Sequence, residues 1–116
     1  MSRTAHGGAA AQADNRIRPM TEEIQTLAAE IRALIEQPAA PLSVLEDTLT
    51  TGYARALELE RERGRLERRL GEVAAAGDGE RAQELAERVT TTDDHLSRFR
   101  ALLGALRARA SAVRAA

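Results

Sequence analysis

Apolar positions recur through the second half of the chain in two long runs that alternate steps of three and four residues. Because such steps average 3.5 residues, each run predicts one seam of a left-handed coiled coil. The first seam consists of Leu45, Leu49, Gly52, Ala56, Leu59, Arg63, Leu66, Leu70 and Val73. The second consists of Ala82, Leu85, Val89, Thr92, Leu96, Phe99, Leu103, Leu106, Ala110 and Val113.

The two seams agree on a single turn between them. This turn contains two glycines and Asp78, which can cap the helix that follows. Facing residues of an antiparallel hairpin have numbers with a nearly constant sum, and this rule pairs Val73 with Leu85 beside the turn. It pairs Leu45 with Val113 at the other end. The sequence therefore predicts a long antiparallel coiled-coil hairpin made of helices 2 and 3.

A shorter amphipathic helix precedes the hairpin. Thr21 can cap its start, and two prolines within 37–41 end it. Ser43 and Glu46 have the spacing of a capping box at the start of helix 2. The apolar face of helix 1 consists of Ile24, Leu27, Ala28, Ile31, Leu34 and Ile35.

The predicted fold is all-α, with short helix 1 packed on the long hairpin of helices 2 and 3. We expect residues 1–19, which are small and polar, to form a disordered tail, and residues 20–116 to form one helical bundle. The expected helices cover about 21–36, 44–75 and 79–114.

Helix 1 is roughly half as long as the hairpin helices, so it can cover only half of the hairpin. We name the covered half the base, residues 45–59 and 99–113, and the other half the tip, residues 63–92. The base is expected to form a three-helix bundle, while the tip projects with two helices. A projecting pair of helices with a thin core favours binding to a partner or to a second copy.

Arg63 is the most unusual residue of the first seam. Its aliphatic stem can cover the neighbouring leucines while the charged end reaches water. Alternatively, Arg63 is a polar register key or forms a charge pair across an oligomer interface. Facing flank positions bring Glu67 opposite Asp93, and this like-charged pair weakens the tip further.

Arginines also cover one outward side of helix 2, which we name the arginine face: Arg61, Arg65, Arg68 and Arg69. With Arg63 and Arg88, these residues are the candidates for binding an acidic partner or a phosphate. Glutamates lie between the arginines, and such mixed charges are also typical of a solvated helix face. Both interpretations remain open at this point.

Three residues of helix 3 resemble part of a nucleotide-binding motif. Asp93, Ser97 and Arg100 resemble the first three positions of the motif of small coiled-coil anti-sigma factors of actinobacteria, which bind cyclic di-GMP. That motif reads Glu, Ser, Arg, Gln and Asp, and Gly104 and Ala108 occupy its last two positions here. The resemblance implies an anionic nucleotide bound at a coil surface.

The chain is also similar in length to the small helical-hairpin proteins of type VII secretion. It has no Trp for their Trp-x-Gly turn, and the acidic residue expected four positions after Tyr53 is replaced by Leu57. We assign the chain to neither family.

Composition narrows the range of functions. A net charge of −1 gives no global field that would attract nucleic acid, so no sequence-specific nucleic-acid partner is expected. The absence of cysteine excludes disulfides, thiolate metal sites and a Cys nucleophile. His95 lies near two aspartates, but a coil flank offers no cavity for catalysis or metal binding. We expect no cofactor.

All 17 basic residues are arginine, as expected of a GC-rich bacterial genome. Without an apolar span or secretory signal, the sequence predicts a soluble cytoplasmic protein with no membrane partner. The predicted function is a non-enzymatic protein–protein interaction module, an adaptor or regulator that acts through its hairpin and forms a homodimer or other homo-oligomer. The alternative is a coiled-coil sensor or anti-sigma-like regulator that binds an anionic nucleotide such as cyclic di-GMP.

Overall fold

The computed structural model describes residues 22–116, which form three helices. Helix α1 covers 22–36, α2 covers Leu42–Ala75 and α3 covers Gly79–Ala115. The two long helices pack heavily against each other, α1 contacts α3, and the described residues contain no strand. The predicted all-α fold of a short helix on a long hairpin is confirmed. The predicted disordered tail over 1–19 and the Thr21 cap lie outside the described residues.

The predicted register of the hairpin is also confirmed. Every position of the two seams is buried or half-buried, and Leu45 and Leu106 are completely enclosed. Ion pairs join flank positions across the hairpin as the register requires, Glu46 to Arg114 at 3.2 Å and Glu60 to Arg100 nearer the tip.

The turn between the long helices contains the only positive φ angle among the described residues, 83° at Gly77. The Gly77 amide donates to the Ala74 carbonyl, and the Asp78 amide donates to the Val73 carbonyl at 3.2 Å. These two bonds satisfy the last carbonyls of α2 in a Schellman motif, which requires the left-handed conformation that glycine adopts most easily. The Asp78 carboxylate then accepts from the Arg81 amide at 3.2 Å and caps α3, as predicted.

The predicted capping box at the start of α2 is wrong. The helix begins directly after Pro41, whose carbonyl accepts from the amides of Val44 and Leu45 at 3.1 and 3.2 Å. No side chain in the described part of the chain caps this end. Proline has no amide hydrogen that needs an acceptor, and Pro41 has an extended conformation here. The helix therefore begins at Leu42, and Ser43 lies inside its first turn instead of preceding it.

Helix α1 packs on the base of the hairpin. Its buried side chains Ile24, Leu27, Ala28 and Ile31 join a core that extends along the hairpin only as far as Leu59 and Leu96. Two polar contacts fix its ends. Glu23 pairs with Arg55 of α2 at 3.4 Å, and Arg109 of α3 donates to the Gln37 carbonyl at 3.0 Å.

The tip has a thin core, as the seams predict. Among its residues only Leu66, Leu85 and Thr92 are buried, whereas Leu70 and Val89 are half-buried. Thr92 satisfies its hydroxyl within its own helix by donating to the Arg88 carbonyl at 2.8 Å. The tip therefore depends on far less apolar burial than the base.

Within residues 22–116, nothing covers one face of the base. Leu102 is partly buried against the core, whereas Tyr53 and Leu57 on the other side of the hairpin are 47% and 46% exposed. Within residues 22–116, no helix carries an apolar stretch that could cross a lipid bilayer.

Candidate functional site

Arg63 forms a charge bridge across the hairpin. Its Nη1 donates to Asp93 Oδ1 of α3 at 2.8 Å, and its Nε lies 3.7 Å from Glu67 Oε1 of α2. The predicted repulsion between Glu67 and Asp93 is thereby offset, because the arginine interacts with both carboxylates. Of the earlier interpretations, a polar register key describes this arrangement best, since the bridge joins the two helices of one chain.

The bridge also affects the electrostatics of Arg63. Its hydrogen bond to Asp93, and next the charge of Asp93, raise the pKa of the guanidinium above its ordinary value. The Nε atom is enclosed and has no hydrogen-bond partner among the described residues. Arg63 therefore links the two helices of the tip and is less available to a partner than the sequence suggested.

The arginine face differs from Arg63 in its pairing. Arg65 is paired within α2, donating to Glu62 through both Nε and Nη2 at 3.0 and 2.6 Å. Arg61, Arg68 and Arg69 are exposed, and no carboxylate among residues 22–116 forms an ion pair with them. These three cations are the part of the predicted partner site that remains open to an acidic ligand.

Arg88 faces Arg69 of the arginine face across the hairpin, as the register of the seams requires. It belongs to α3, is half-buried, and offers its carbonyl to the Thr92 hydroxyl. No ion pair to Arg88 is formed within residues 22–116. Of the six predicted partner-binding arginines, Arg63 and Arg65 are paired with carboxylates, whereas the other four form no ion pair within residues 22–116.

The three residues of the nucleotide resemblance do lie together. Asp93, Ser97 and Arg100 line one open groove of about 430 Å³ with Arg63, Asp94 and Leu96. Both arginines of this groove already interact with carboxylates, Arg63 with Asp93 and Arg100 with Glu60. An anionic ligand would have to replace these carboxylates at the guanidinium groups.

A second groove of about 420 Å³ lies on the uncovered side of the base. We name this surface the open face. Ala56 and Leu103 form its floor, and its edges carry Tyr53, Leu57 and Glu60 from α2 and Arg100, Gly104 and Arg107 from α3. A Cβ placed at Gly104 would have nothing within 4 Å, so there is free space above this glycine.

Arg107 has a particular position in the open face. The flank positions at seven-residue intervals hold Arg100, Arg107 and Arg114 on α3, and the outer two pair with Glu60 and Glu46 of α2. At the middle level α2 has Tyr53 where a glutamate would continue the pattern. No carboxylate of residues 22–116 forms an ion pair with Arg107.

A third groove separates α1 from α2, and three glutamates line it together with two threonines, Leu27 and Arg55. A hydrogen bond from Arg55 to Glu58, with the charges of Glu58 and Glu23, raises the pKa of Arg55 above its ordinary value. This cluster is an internal contact that holds α1 in place. Among residues 22–116, no three or more His, Asp or Glu side chains are grouped to hold a metal ion.

The apolar pattern places Tyr53 and Leu57 off the seam on one side of the hairpin and Leu102 off it on the other, and it predicts that one side receives helix 1 and leaves the other for a second copy. A further signal for this face is the series Glu46, Tyr53 and Glu60 of α2, which faces three arginines of α3. Which side of the hairpin α1 covers could not be read from the pattern. No protein-family model, curated protein or solved structure matches this chain.

Proposed function

We propose that this protein is a non-enzymatic interaction module, an adaptor or regulator in the bacterial cytoplasm that binds an acidic segment of another protein. The binding site is the arginine face, which begins at the edge of the tip. The observation that carries the proposal is the set of exposed cations Arg61, Arg68 and Arg69, which form no ion pair within residues 22–116.

Two further properties support this function. The tip projects beyond α1, so a partner can approach it from several sides. The three grooves are open to solvent, and such surfaces lack the enclosure that excludes water from a reacting group.

Affinity capture with the full chain from its native host would identify the partner. The purified partner is then titrated with the double variant R61Q/R68Q and with the matched double variant R32Q/R98Q, whose arginines are exposed elsewhere. We expect the first variant to weaken binding by about tenfold at low salt and the second to leave it unchanged.

Salt gives an independent check. Because exposed charges are screened, the affinity for the wild-type chain should fall as ionic strength rises. Equal affinity of the R61Q/R68Q variant and the wild type would rule out the arginine face as the site. Failure to capture any protein that binds the purified chain directly would contradict the function itself.

A second candidate function, binding of an anionic nucleotide, is favoured by one observation. Asp93, Ser97 and Arg100 line the same groove. Calorimetry with cyclic di-GMP tests this function directly. If it is correct, the wild type releases or absorbs heat saturably and R100Q loses this signal, while R98Q on the same helix keeps it. No heat with the wild type at high protein concentration would exclude cyclic di-GMP.

A further inference from the structure

We infer that the open face is the interface of a homodimer, in which a two-fold axis parallel to the hairpin places α2 of each copy against α3 of the other. This inference goes beyond the proposed function, because none of the residues that line the open face belongs to the arginine face. The occupant of the open face is a second copy of this chain. Three properties of the face support this conclusion: its shape, its charge pattern and its size.

The shape of the open face is self-complementary. Leu57 projects from α2, and the free space above Gly104 lies at the same level of α3. In the proposed dimer, Leu57 of each copy enters the space above Gly104 of the other. A two-fold axis forms this contact twice, which is the defining property of an isologous interface.

The charge pattern selects the direction of packing. With the axis parallel to the hairpin, Glu60 meets Arg100 of the second copy, and Tyr53 meets Arg107 of the second copy. The existing pair of Glu60 and Arg100 is thereby extended into a network of four charges. Arg107, which forms no ion pair within its own described chain and faces its own Tyr53, meets a second aromatic ring against which a guanidinium can stack.

The other two-fold arrangement is disfavoured by the same charges. An axis perpendicular to the hairpin would place α2 on α2 and α3 on α3. Around the level of Tyr53, this packing brings Glu46 against Glu60 and Arg114 against Arg100. Like charges facing each other across an interface oppose association. The sequence of charges therefore specifies a dimer with both tips at the same end.

The whole side of the hairpin that carries the open face is large enough for a stable dimer. The open side of the hairpin is roughly 50 Å long and 20 Å wide, from the rise and diameter of two packed helices. It therefore offers about 1000 Å² per copy, whereas specific interfaces of standard size bury about 800 Å² per partner. The large exposed apolar residues in the middle of this side, Tyr53 and Leu57, would form the centre of the buried area.

The proposal is tested by exchanging the projecting residue and the free space. Light scattering over a range of concentrations should give twice the mass of one chain for the wild type. G104L should fill the space above the glycine and shift the mass toward that of a monomer. The double variant L57A/G104L, which moves the projecting leucine to α3 and the space to α2, should restore the dimer.

Control measurements separate this effect from misfolding. A105L adds the same side chain at an exposed position of α3 outside the open face and should remain dimeric. Circular dichroism should show equal helix content for all variants, since a Cβ at Gly104 meets nothing within 4 Å. A wild type with the mass of one chain at all concentrations would overturn the inference, as would a G104L variant that is as dimeric as the wild type.

The direction of packing is tested by a single spin label at E80C, which is unique because the chain has no cysteine. A dimer with both tips at the same end places the two labels within about 30 Å of each other. The opposite arrangement would separate them by roughly 70 Å, from the helical rise between the centre of the open face and the tip. A measured distance near the larger value would overturn the proposed axis.

Dimer formation and partner binding fail independently. The R61Q/R68Q variant should remain dimeric, because neither residue lines the open face. A monomeric wild type that still binds its partner through the arginine face would contradict the dimer and leave the proposed function intact. A dimeric wild type whose arginine face binds nothing would contradict the proposed function and leave the dimer intact.

Discussion

Gly52 shows how a single residue sets the spacing of the two long helices. A Cβ at this position would overlap the side chain of Leu103, and it would lie 3.7 Å from Phe99 Cζ. Both neighbours are 1% exposed, so neither can move toward solvent. A glycine lowers the intrinsic stability of a helix. At this position, however, the close packing of the two helices in the base leaves no room for a side chain.

We expect Gly52→Ala to destabilise the protein despite the better helix propensity of alanine. Overpacking a core costs about 1–3 kcal/mol, whereas replacing glycine by alanine in a helix gains about 1 kcal/mol. The net loss in the free energy of unfolding should be about 1 kcal/mol, measured by urea denaturation. The matched control is Gly71→Ala, where a Cβ meets nothing within 4 Å and stability should increase by about 0.5–1 kcal/mol. Equal effects at the two sites would contradict this account.

Arg63 illustrates how a charged residue can occupy a seam. Because the pKa of its guanidinium is raised in the folded chain, its stabilising contribution is complete at neutral pH and is lost only as pH rises through that raised value. Its contribution therefore does not vary across the neutral range. Salt, rather than mild alkali, is the condition that should weaken the bridge.

The charge bridge predicts energetic coupling between Arg63 and Asp93. A double-mutant cycle with Arg63→Gln and Asp93→Asn should give a favourable coupling energy that falls by roughly half or more between low salt and 1 M salt. The control cycle combines Arg61→Gln with Asp93→Asn, because Arg61 forms no ion pair with this carboxylate. If the two cycles show the same coupling, the bridge does not stabilise the hairpin.

At the scale of the elements, the ends of the helices follow different rules. The start of α3 uses a side-chain cap and the end of α2 uses a glycine, whereas the start of α2 relies on the Pro41 carbonyl alone. The end of α1 receives its donor from Arg109 of another helix, where the negative end of the helix dipole favours a cation. The turn is therefore specified locally, while the position of α1 depends on tertiary contacts.

Replacing the cap of α3 should weaken the turn. We expect Asp78→Ala to lower the free energy of unfolding by about 1 kcal/mol, since it leaves the Arg81 amide without its partner. Asp78→Asn keeps an acceptor oxygen and should retain most of the stability. Chemical denaturation measures both effects, and an alanine variant as stable as the asparagine variant would show that the cap does not matter.

Most of the hairpin could be predicted from the sequence because its register is encoded twice, once in each seam. Its flank pairs, such as Glu46 with Arg114, follow from that register. The bridge from Arg63 to Asp93 does not follow, because a long side chain reaches past its facing position to the neighbouring row. The groove of the open face also depends on which side α1 covers, and both sides of the hairpin carry apolar residues.

At the scale of the whole molecule, stability is distributed unevenly along an elongated body. The described residues extend over 61 × 29 × 17 Å, and the continuous core ends well before the turn. In the base three helices bury apolar side chains together, whereas in the tip two helices share a few. Local opening should therefore begin at the tip.

Hydrogen exchange monitored residue by residue would measure this gradient. We expect amides near Leu103 in the base to exchange about tenfold or more slowly than amides near Val89 in the tip. Both residues lie well inside the same helix, so fraying at the helix ends does not explain a difference. Uniform exchange along α3 would contradict the division into base and tip.

The placement of the weak half next to the turn has a consequence for the folding pathway. Closing a longer loop costs only about 0.6 kcal/mol for each doubling of its length. The core around Leu59, Leu96 and Phe99 can therefore form before the chain between these residues is ordered, because the base buries many more apolar side chains than the tip and this outweighs the small entropic difference. In kinetic terms, we expect truncations at Leu96 to slow folding, giving high φ values, and truncations at Leu85 mainly to accelerate unfolding. The hairpin would then close from its base, with the turn completed last.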